Sequence, residues 1–470
     1  MSVHTPPEAG PQNRRWLGLA VIAAAQFMVI MDTSIIGVAL PEMQRDLGFT
    51  PENLSWVFNA YVVAFGGLLL LGGKISDVLG ARTVFAAGWV VLGAGSLVAA
   101  VAGDVGTELA GRAVQGAGAA LIAPAALTLL MMLFGGNPRE LTKALALYGA
   151  AAPAGGTAGV FLGGVITEYL SWPWVFAINL PIAVVILALV PASMPGGRAG
   201  ASRRVDVVGA VTVTAGLAAL VYAVVQAPEV GWGAARTWWV LGAGVLLIAV
   251  FVAQQARGRD PLVRLGIFRA PDLAAANLAQ LLLGAAWIPM WFFLNLYLQQ
   301  VLGLTAFPSG AALLPMTLLI MVGMVLLAPR VLAALGVRAA TVTGLVLLAA
   351  GMAWLAMIDP DGSYAVDVLP ASLVAALGMS LAFIPTLGTA ISAAPPEEGG
   401  LASGIVNTSY QIGSALGLAV MTAVAAAAGA DRLGDPVALT DGYAAAFVGA
   451  AVVAAVGALA SAALLRGRAS

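Results

Sequence analysis

Two charged side chains sit where charge is expensive. Asp32 interrupts an apolar helical run, and Arg112 interrupts another. Holding a carboxylate at membrane depth costs at least ~2.5 kcal/mol, so such a residue needs a reason to be there. At ~1.5 Å per residue Asp32 lies about 24 Å from Trp16 along its helix, past the middle of an apolar layer roughly 30 Å thick. Arg112 lies about 8 Å from the start of its own segment, which places the two charges at similar depth and within reach of pairing. Burial and a neighbouring cation pull the proton affinity of a carboxylate in opposite directions. A pair of this kind is therefore suited to bind or release a proton as its exposure changes; a permanent structural ion pair is the alternative. By this reading Asp32 is the only acid deep within a span.

Two polar stripes are candidates for a binding cavity. Gln280, Gly284, Trp287, Trp291, Asn295 and Gln299 recur at three- and four-residue spacing, so they share one helix face. Tryptophan usually collects near headgroups, whereas Trp287 and Trp291 fall mid-span, where aromatic faces beside amides suit a flat lipophilic or cationic guest. Interhelical packing explains the same pattern. Ser403, Asn407, Gln411 and Ser414 form a second stripe with the same two readings.

Other chemistries lack their residues. Cysteine is absent, which removes disulfides, thiolate metal sites and thiol nucleophiles, and the one histidine, His4, lies in the polar N-terminal tail. Gly73-Lys74 lacks the earlier glycine and the following Ser or Thr of a phosphate-binding loop, so no ATP-driven engine is expected. No metal-ligand cluster is seen and no cofactor is expected. A formal net charge of -1 offers nothing to nucleic acid.

The elements that must position these residues follow from hydropathy. With 61% hydrophobic and 9% charged residues, a water-soluble domain would lack the polar surface to cover itself, so the chain belongs in a lipid bilayer. Apolar segments of membrane length fall at 16–40, 54–72, 83–101, 107–133, 141–166 and 174–190, then 207–226 and 237–254. Six more follow at 273–302, 310–328, 339–358, 368–394, 401–428 and 443–465, for fourteen spans in all. The first segment has no small-residue cleavage site and reads as a retained span. Basic residues support this count. Of 21, only Arg45, Arg236 and Arg432 fall on one side, Arg112 lies within a span, and all others fall on the opposite side. Lys and Arg mark the cytoplasmic face, so both termini are expected in the cytoplasm.

The halves echo each other, as in carriers built from repeats around a central site. Leu47-Gly48-Phe49-Thr50 recurs as Leu302-Gly303-Leu304-Thr305, and Leu79-Gly80-Ala81-Arg82 recurs as Leu335-Gly336-Val337-Arg338 at nearly the same offset. Ala333 stands where the first copy has Asp77, so the repeat keeps its turn glycine and cation but not its acid.

Several stretches resemble the major facilitator superfamily, and the resemblance runs through almost the whole chain. The short loop Gly73-Lys74-Ile75-Ser76-Asp77-Val78-Leu79-Gly80-Ala81-Arg82 is similar to its signature loop, with Val78 and Ala81 where cations are usual. Met31-Asp32-Thr33-Ser34-Ile35-Ile36-Gly37-Val38-Ala39-Leu40-Pro41 resembles the first-span signature of the fourteen-helix drug:proton antiporters. Gly111-Arg112-Ala113-Val114-Gln115-Gly116-Ala117-Gly118 resembles their fourth-span motif, and 171–181 a further shared stretch in which Pro173 replaces a cation. Residues 155–164 resemble the antiporter motif, with Gly155, Gly159, Gly163 and Gly164 present and Val160 in place of proline. Small residues of this kind pack helices closely, and Pro153 two turns earlier can supply the missing bend.

The resemblance implies an all-α polytopic carrier of major facilitator fold with two six-helix bundles and two inserted helices. Residues 1–15 form an N-terminal tail, 16–192 the first bundle, 193–271 a linker with the inserted helices, 272–465 the second bundle and 466–470 a C-terminal tail. It further implies a plasma-membrane antiporter exporting lipophilic drugs or antibiotics against protons. In that reading Asp32 and Arg112 couple the proton, while Gly73, Asp77, Gly80 and Arg82 gate the cycle. Gln280, Trp287, Trp291, Asn295, Asn407 and Gln411 line the substrate cavity. Uptake of a small nutrient is the rival function, favoured by Val160. An intramembrane enzyme or receptor is a remote third, since catalytic cluster and soluble sensor domain are both missing.

Overall fold

The computed structural model describes residues 11–196, 206–258, 261–263, 265–393 and 399–466. Every regular element among them is helical. The chain runs through α1 (Pro11–Leu47), α2 (Trp56–Leu79), α3 (Ala81–Ala100), α4 (Val105–Phe134), α5 (Pro138–Tyr169), the short α6 (Trp174–Ala177) and α7 (Asn179–Ser193). A hairpin follows, α8 (Val207–Val230) and α9 (Ala235–Arg257). Then come α10 (Pro271–Leu296), α11 (Ala306–Val322), α12 (Ala328–Leu355), α13 (Leu369–Ala393), α14 (Gly399–Ala425) and α15 (Pro436–Leu464). In lipid each backbone amide must be satisfied within its own segment, and helices achieve this.

Thirteen helical stretches among the described residues are long and apolar enough to cross a bilayer. One of them, Ala306–Leu355, has 50 residues, about 75 Å of helix at ~1.5 Å per residue and more than twice what a crossing needs. Gly336 breaks it, at φ 74° and ψ 171°. A left-handed backbone of this kind suits glycine because there is no Cβ to clash. Gly80 turns the chain in the same way between α2 and α3, at φ 89°. Gly48 and Gly303 also have positive φ, 73° and 67°. All four glycines of the two repeated tetrapeptides therefore reverse the chain. The span boundaries move outward from the hydropathic ones where amphipathic turns prolong the helices. Thus α1 continues past Pro41 to Leu47, and α5 runs through Pro153 without a break.

α1 packs on α4, α5 and α7, with α2 and α3 against α4; α10 packs on α13, α14 and α15, and α12 on α13 and α15. These two groups meet along α2 with α14 and α5 with α11, and the α8–α9 hairpin lies against α2 and α14. Cross-chain bonds define two ends. At the end bearing the chain termini, Arg15 Nη2 meets Glu140 Oε2 at 3.0 Å. At the far end the Trp172 indole donates to Asp46 Oδ2 at 2.9 Å, and Gln300 Nε2 donates to Gln44 Oε1 at 2.8 Å. The far end also holds Asp104, which caps α4 by accepting from the Thr107 amide and hydroxyl at 2.9 and 2.7 Å. Those bonds hold its carboxyl below the usual carboxylate range.

The antiporter-like glycines form a seam. A Cβ placed on Gly159 or Gly163 would lie 2.7 Å from Met31 O or 2.6 Å from Ile35 O, and Gly155 sits as closely on Phe27 O. Three glycines four residues apart thus press α5 onto the turns of α1 that flank Asp32. Gly164 instead faces the second bundle, where its Cβ would lie 3.0 Å from Ala306 O. Gly159→Val should therefore cost roughly 1–3 kcal/mol by overpacking. Gly156→Ala, whose Cβ lies 3.7 Å from the nearest atom, Ser34 Oγ, should leave stability unchanged. Thermal unfolding of the purified protein in detergent checks both; equal midpoints for the two variants would refute the seam.

Candidate functional site

The structure brings Asp32 and Arg112 together. Arg112 Nη1 donates to Asp32 Oδ2 at 2.7 Å, with the two side chains 0% and 1% exposed. Residues of α2, α3, α4, α6 and α7 complete the shell. Gln115 Nε2 and Asn179 Nδ2 donate to Asp32 Oδ1 at 3.1 and 2.8 Å, so the carboxylate accepts three bonds. Arg112 Nη1 also donates to Gln115 Oε1 at 2.7 Å, and Nε to Val57 O at 2.9 Å. Ser96 Oγ accepts from both amides, at 2.8 Å from Gln115 and 3.2 Å from Asn179. The guanidinium lies 4.5 Å from the Tyr61 ring centroid and 5.8 Å from that of Phe176, so its faces are covered by aromatic rings.

Local sequence explains each placement. Gln115 stands one turn from Arg112 on α4, the spacing at which helical side chains meet. Asn179 opens α7 just after the short α6, and Ser96 faces α4 from α3. Close contact keeps the shell in register. A Cβ on Gly95 would lie 2.5 Å from Gln115 N and 2.8 Å from Gly111 O.

Sequence reasoning missed part of this set. Gln115 and Asn179 lie inside the family-like motifs without a signal of their own, Ser96 carries no signal in an apolar helix, and Tyr61 reads as an ordinary core aromatic. The expectation that Asp32 is the only deep acid is corrected. Glu108, one turn before Arg112, is 0% exposed. It stands so near the hydropathic start of its span that it reads as a solvated end residue, yet its side chain is fully enclosed by the bundle.

The remaining candidates divide by place. The Arg82 guanidinium reaches Gly196 past the end of α7, where a Cβ would lie 3.3 Å from Nη1, while Gly73 faces Pro124 of α4 at 3.7 Å. Gly80 forms the α2–α3 turn, and the side chain of Asp77 lies outside the described residues. The stripe on α10 serves several neighbours. Gln280 Nε2 donates to Thr386 Oγ1 of α13 at 2.9 Å, and Gly284 packs against Tyr410 and Ser414 of α14. Trp287 and Trp291 are buried, as is Asn295, whose Nδ2 donates to Trp291 O at 2.8 Å. A Cβ on Gly37 of α1 would lie 2.9 Å from Asn295 Nδ2 and 3.1 Å from Trp291 Nε1. This part of the stripe therefore touches the Asp32 helix. Gln411 packs on Gly66 of α2, and Asn407 Nδ2 donates to Ser403 O at 2.8 Å. A cavity of about 600 Å³ opens at the far end between the two groups, lined by Glu42, Arg45, Glu168, Gln299 and Gln300 among others; of the stripe only Gln299, just past the end of α10, reaches it.

Removing one partner of a buried ion pair strands the other charge and costs about 3–5 kcal/mol. Arg112→Met should therefore lose folded protein sharply. Asp32→Asn in the same chain should restore most of it, because the stranded charge is gone. Monodisperse yield and thermal midpoint of the single and double variants check this; equal loss in both would contradict the pairing.

Residues 22–418 match the profile of the Major Facilitator Superfamily. The chain is 40% identical over 441 residues to the cephamycin export protein of Amycolatopsis lactamdurans, covering 92% of this chain and 89% of that one. It is also 40% identical over 446 residues to the puromycin resistance protein of Streptomyces alboniger, covering 92% and 87%. Among solved structures, a proton dependent oligopeptide transporter superposes with a TM-score of 0.66 at 18% identity, covering 95% of this chain and 98% of that one. At that identity the likeness bears on fold alone. Matching family profile, relatives aligned over nearly their full length and an all-helical bundle agree: the chain is a multi-pass membrane protein and belongs to the major facilitator superfamily.

Proposed function

We propose that this carrier exports lipophilic, neutral or singly cationic small molecules, antibiotics among them, in exchange for protons. The observation that carries the reading is the buried Asp32–Arg112 pair with its amide shell. Relatives named for cephamycin export and puromycin resistance support the substrate class.

The 50-residue stretch reads as two spans hinged at Gly336, which makes fourteen. The excess of Lys and Arg at the terminus-bearing end supports a cytoplasmic location for that end, with the far end outside. Two bundles at 16–192 and 272–465, with an inserted hairpin between, then rock about a central site. Protonation of Asp32 removes the charge that holds the Arg112 guanidinium. Release of that bond loosens α1 from α4. Through Gly37, α1 bears on Trp291 and Asn295, so the state of the pair is felt by the residues proposed to meet substrate. Their aromatic surfaces bind by shape and cation–π attraction, which gives loose selectivity. A dication would leave one charge uncompensated at low dielectric and should be rejected. Asp77 and its neighbours Gly73, Gly80 and Arg82 are proposed to latch the cytoplasmic end while the cavity faces outward.

Expression in a drug-sensitive host should lower the accumulation of lipophilic dyes or antibiotics, and a protonophore should restore it. If no compound in a broad panel is expelled while a sugar or amino acid enters faster, the uptake function replaces this one.

A further inference from the structure

Among the described residues, Glu108 is the acid whose two carboxyl oxygens are both buried and without a partner once Asp32 is paired. Both of its carboxyl oxygens are enclosed and accept no hydrogen bond, and one nitrogen of the nearby guanidinium, Arg112 Nη2, likewise has no acceptor. The two residues stand four apart on α4, where side chains share a face. Side chains of a helix lean toward its N-terminus, so Arg112 leans toward the Glu108 turn.

The ionisable groups around this turn are few. Arg112 and Asp32 are the charges whose field reaches Glu108, and Tyr61 of α2 borders the same pair. α7 carries no ionisable residue, and that of α3, Arg82, lies at the opposite end. On α5 the acid nearest the far end, Glu168, is exposed, as is the capping Asp104. An ionised carboxylate with neither hydrogen bonds nor a counter-ion is not sustained at zero exposure. With Arg112 committed to Asp32, Glu108 is therefore the neutral acid.

We propose that Glu108 is a second proton-binding residue of this site, sharing one guanidinium and one proton with Asp32. In the state seen, the proton is on Glu108, and Asp32 is the carboxylate bonded to Arg112. In the alternate state the proton has left the Glu108 carboxyl and resides on an Asp32 oxygen, while the guanidinium has swung to the Glu108 carboxylate. The trio has zero net charge in both states, so the exchange strands no charge in the low-dielectric interior. Glu108 lies one turn nearer the far end than Arg112, which makes it the member of the trio next to that face. This deepens the proton-coupled reading of the same site, and its test measures protonation in the absence of substrate or gradient, so the two can fail separately.

Infrared spectroscopy of the purified protein reads the carbonyl stretch of neutral carboxylic acids. At neutral pH the wild type minus Glu108→Gln difference should contain one such band, shifted in deuterium oxide. Should Glu108→Gln fold poorly, Glu108→Asp keeps the acid and should move the band instead of deleting it. In Asp32→Asn the guanidinium is free to take Glu108 as its counter-ion, so the band should fall by at least about half. No Glu108-dependent band in the wild type would overturn the proposal. An undiminished band in Asp32→Asn would overturn the sharing of Arg112.

Discussion

Lipid cannot solvate charge, and this constraint organises the first bundle. A carboxylate kept at the depth of Asp32 must be compensated by the protein itself, with a cation and enough donors to replace water. Arg112 supplies the cation; Gln115 and Asn179 supply the remaining donors, and Ser96 orients them. Those side chains come from α1, α3, α4 and α7, so the helices must approach closely and hold their rotation. Glycine makes the approach possible. Gly155, Gly159 and Gly163 fit α5 against α1, and Gly95 with Gly111 fits α3 against α4. What looks like composition in the sequence is the mechanical support of one ion pair.

The same constraint separates what was legible in the sequence from what was not. A charge in an apolar run is visible because it is costly, and simple helical rise was enough to set Asp32 and Arg112 at one depth. Neutral polar residues cost less and signal less, which is why Ser96 and Asn179 emerge only from the packing. Glu108 failed for another reason. Hydropathy locates the end of a span along its axis but not which helices surround it, so a carboxyl at the edge of a segment reads as solvated even when the bundle encloses it. The α10 stripe is similar: periodicity identified a common face, but Gln280 meets α13, Gly284 meets α14 and Trp291 meets α1. Helix crossing decides those partners, and no spacing rule contains it.

Backbone reversals were the most legible part of the fold. The recurrence of Leu-Gly at two offsets marked Gly48, Gly80, Gly303 and Gly336, and each has a positive φ at a chain reversal. Loss of the acid in the second copy is also meaningful. The second bundle keeps the turn without a counterpart to Asp77, and it has no buried ion pair among the described residues. The fully buried acidic and basic side chains among the described residues, Asp32, Glu108 and Arg112, all lie in one bundle, while the other presents aromatic and amide groups along α10.

Transmission between proton and substrate through the Asp32–Arg112 pair is the step on which the proposed mechanism rests. It is tested most directly in proteoliposomes carrying an internal pH indicator, by imposing a gradient of an exported compound with no pH difference. The wild type should move protons opposite to the compound. Asp32→Asn, neutral and nearly isosteric, should move none while still binding the compound. Undiminished proton movement in Asp32→Asn would contradict the account.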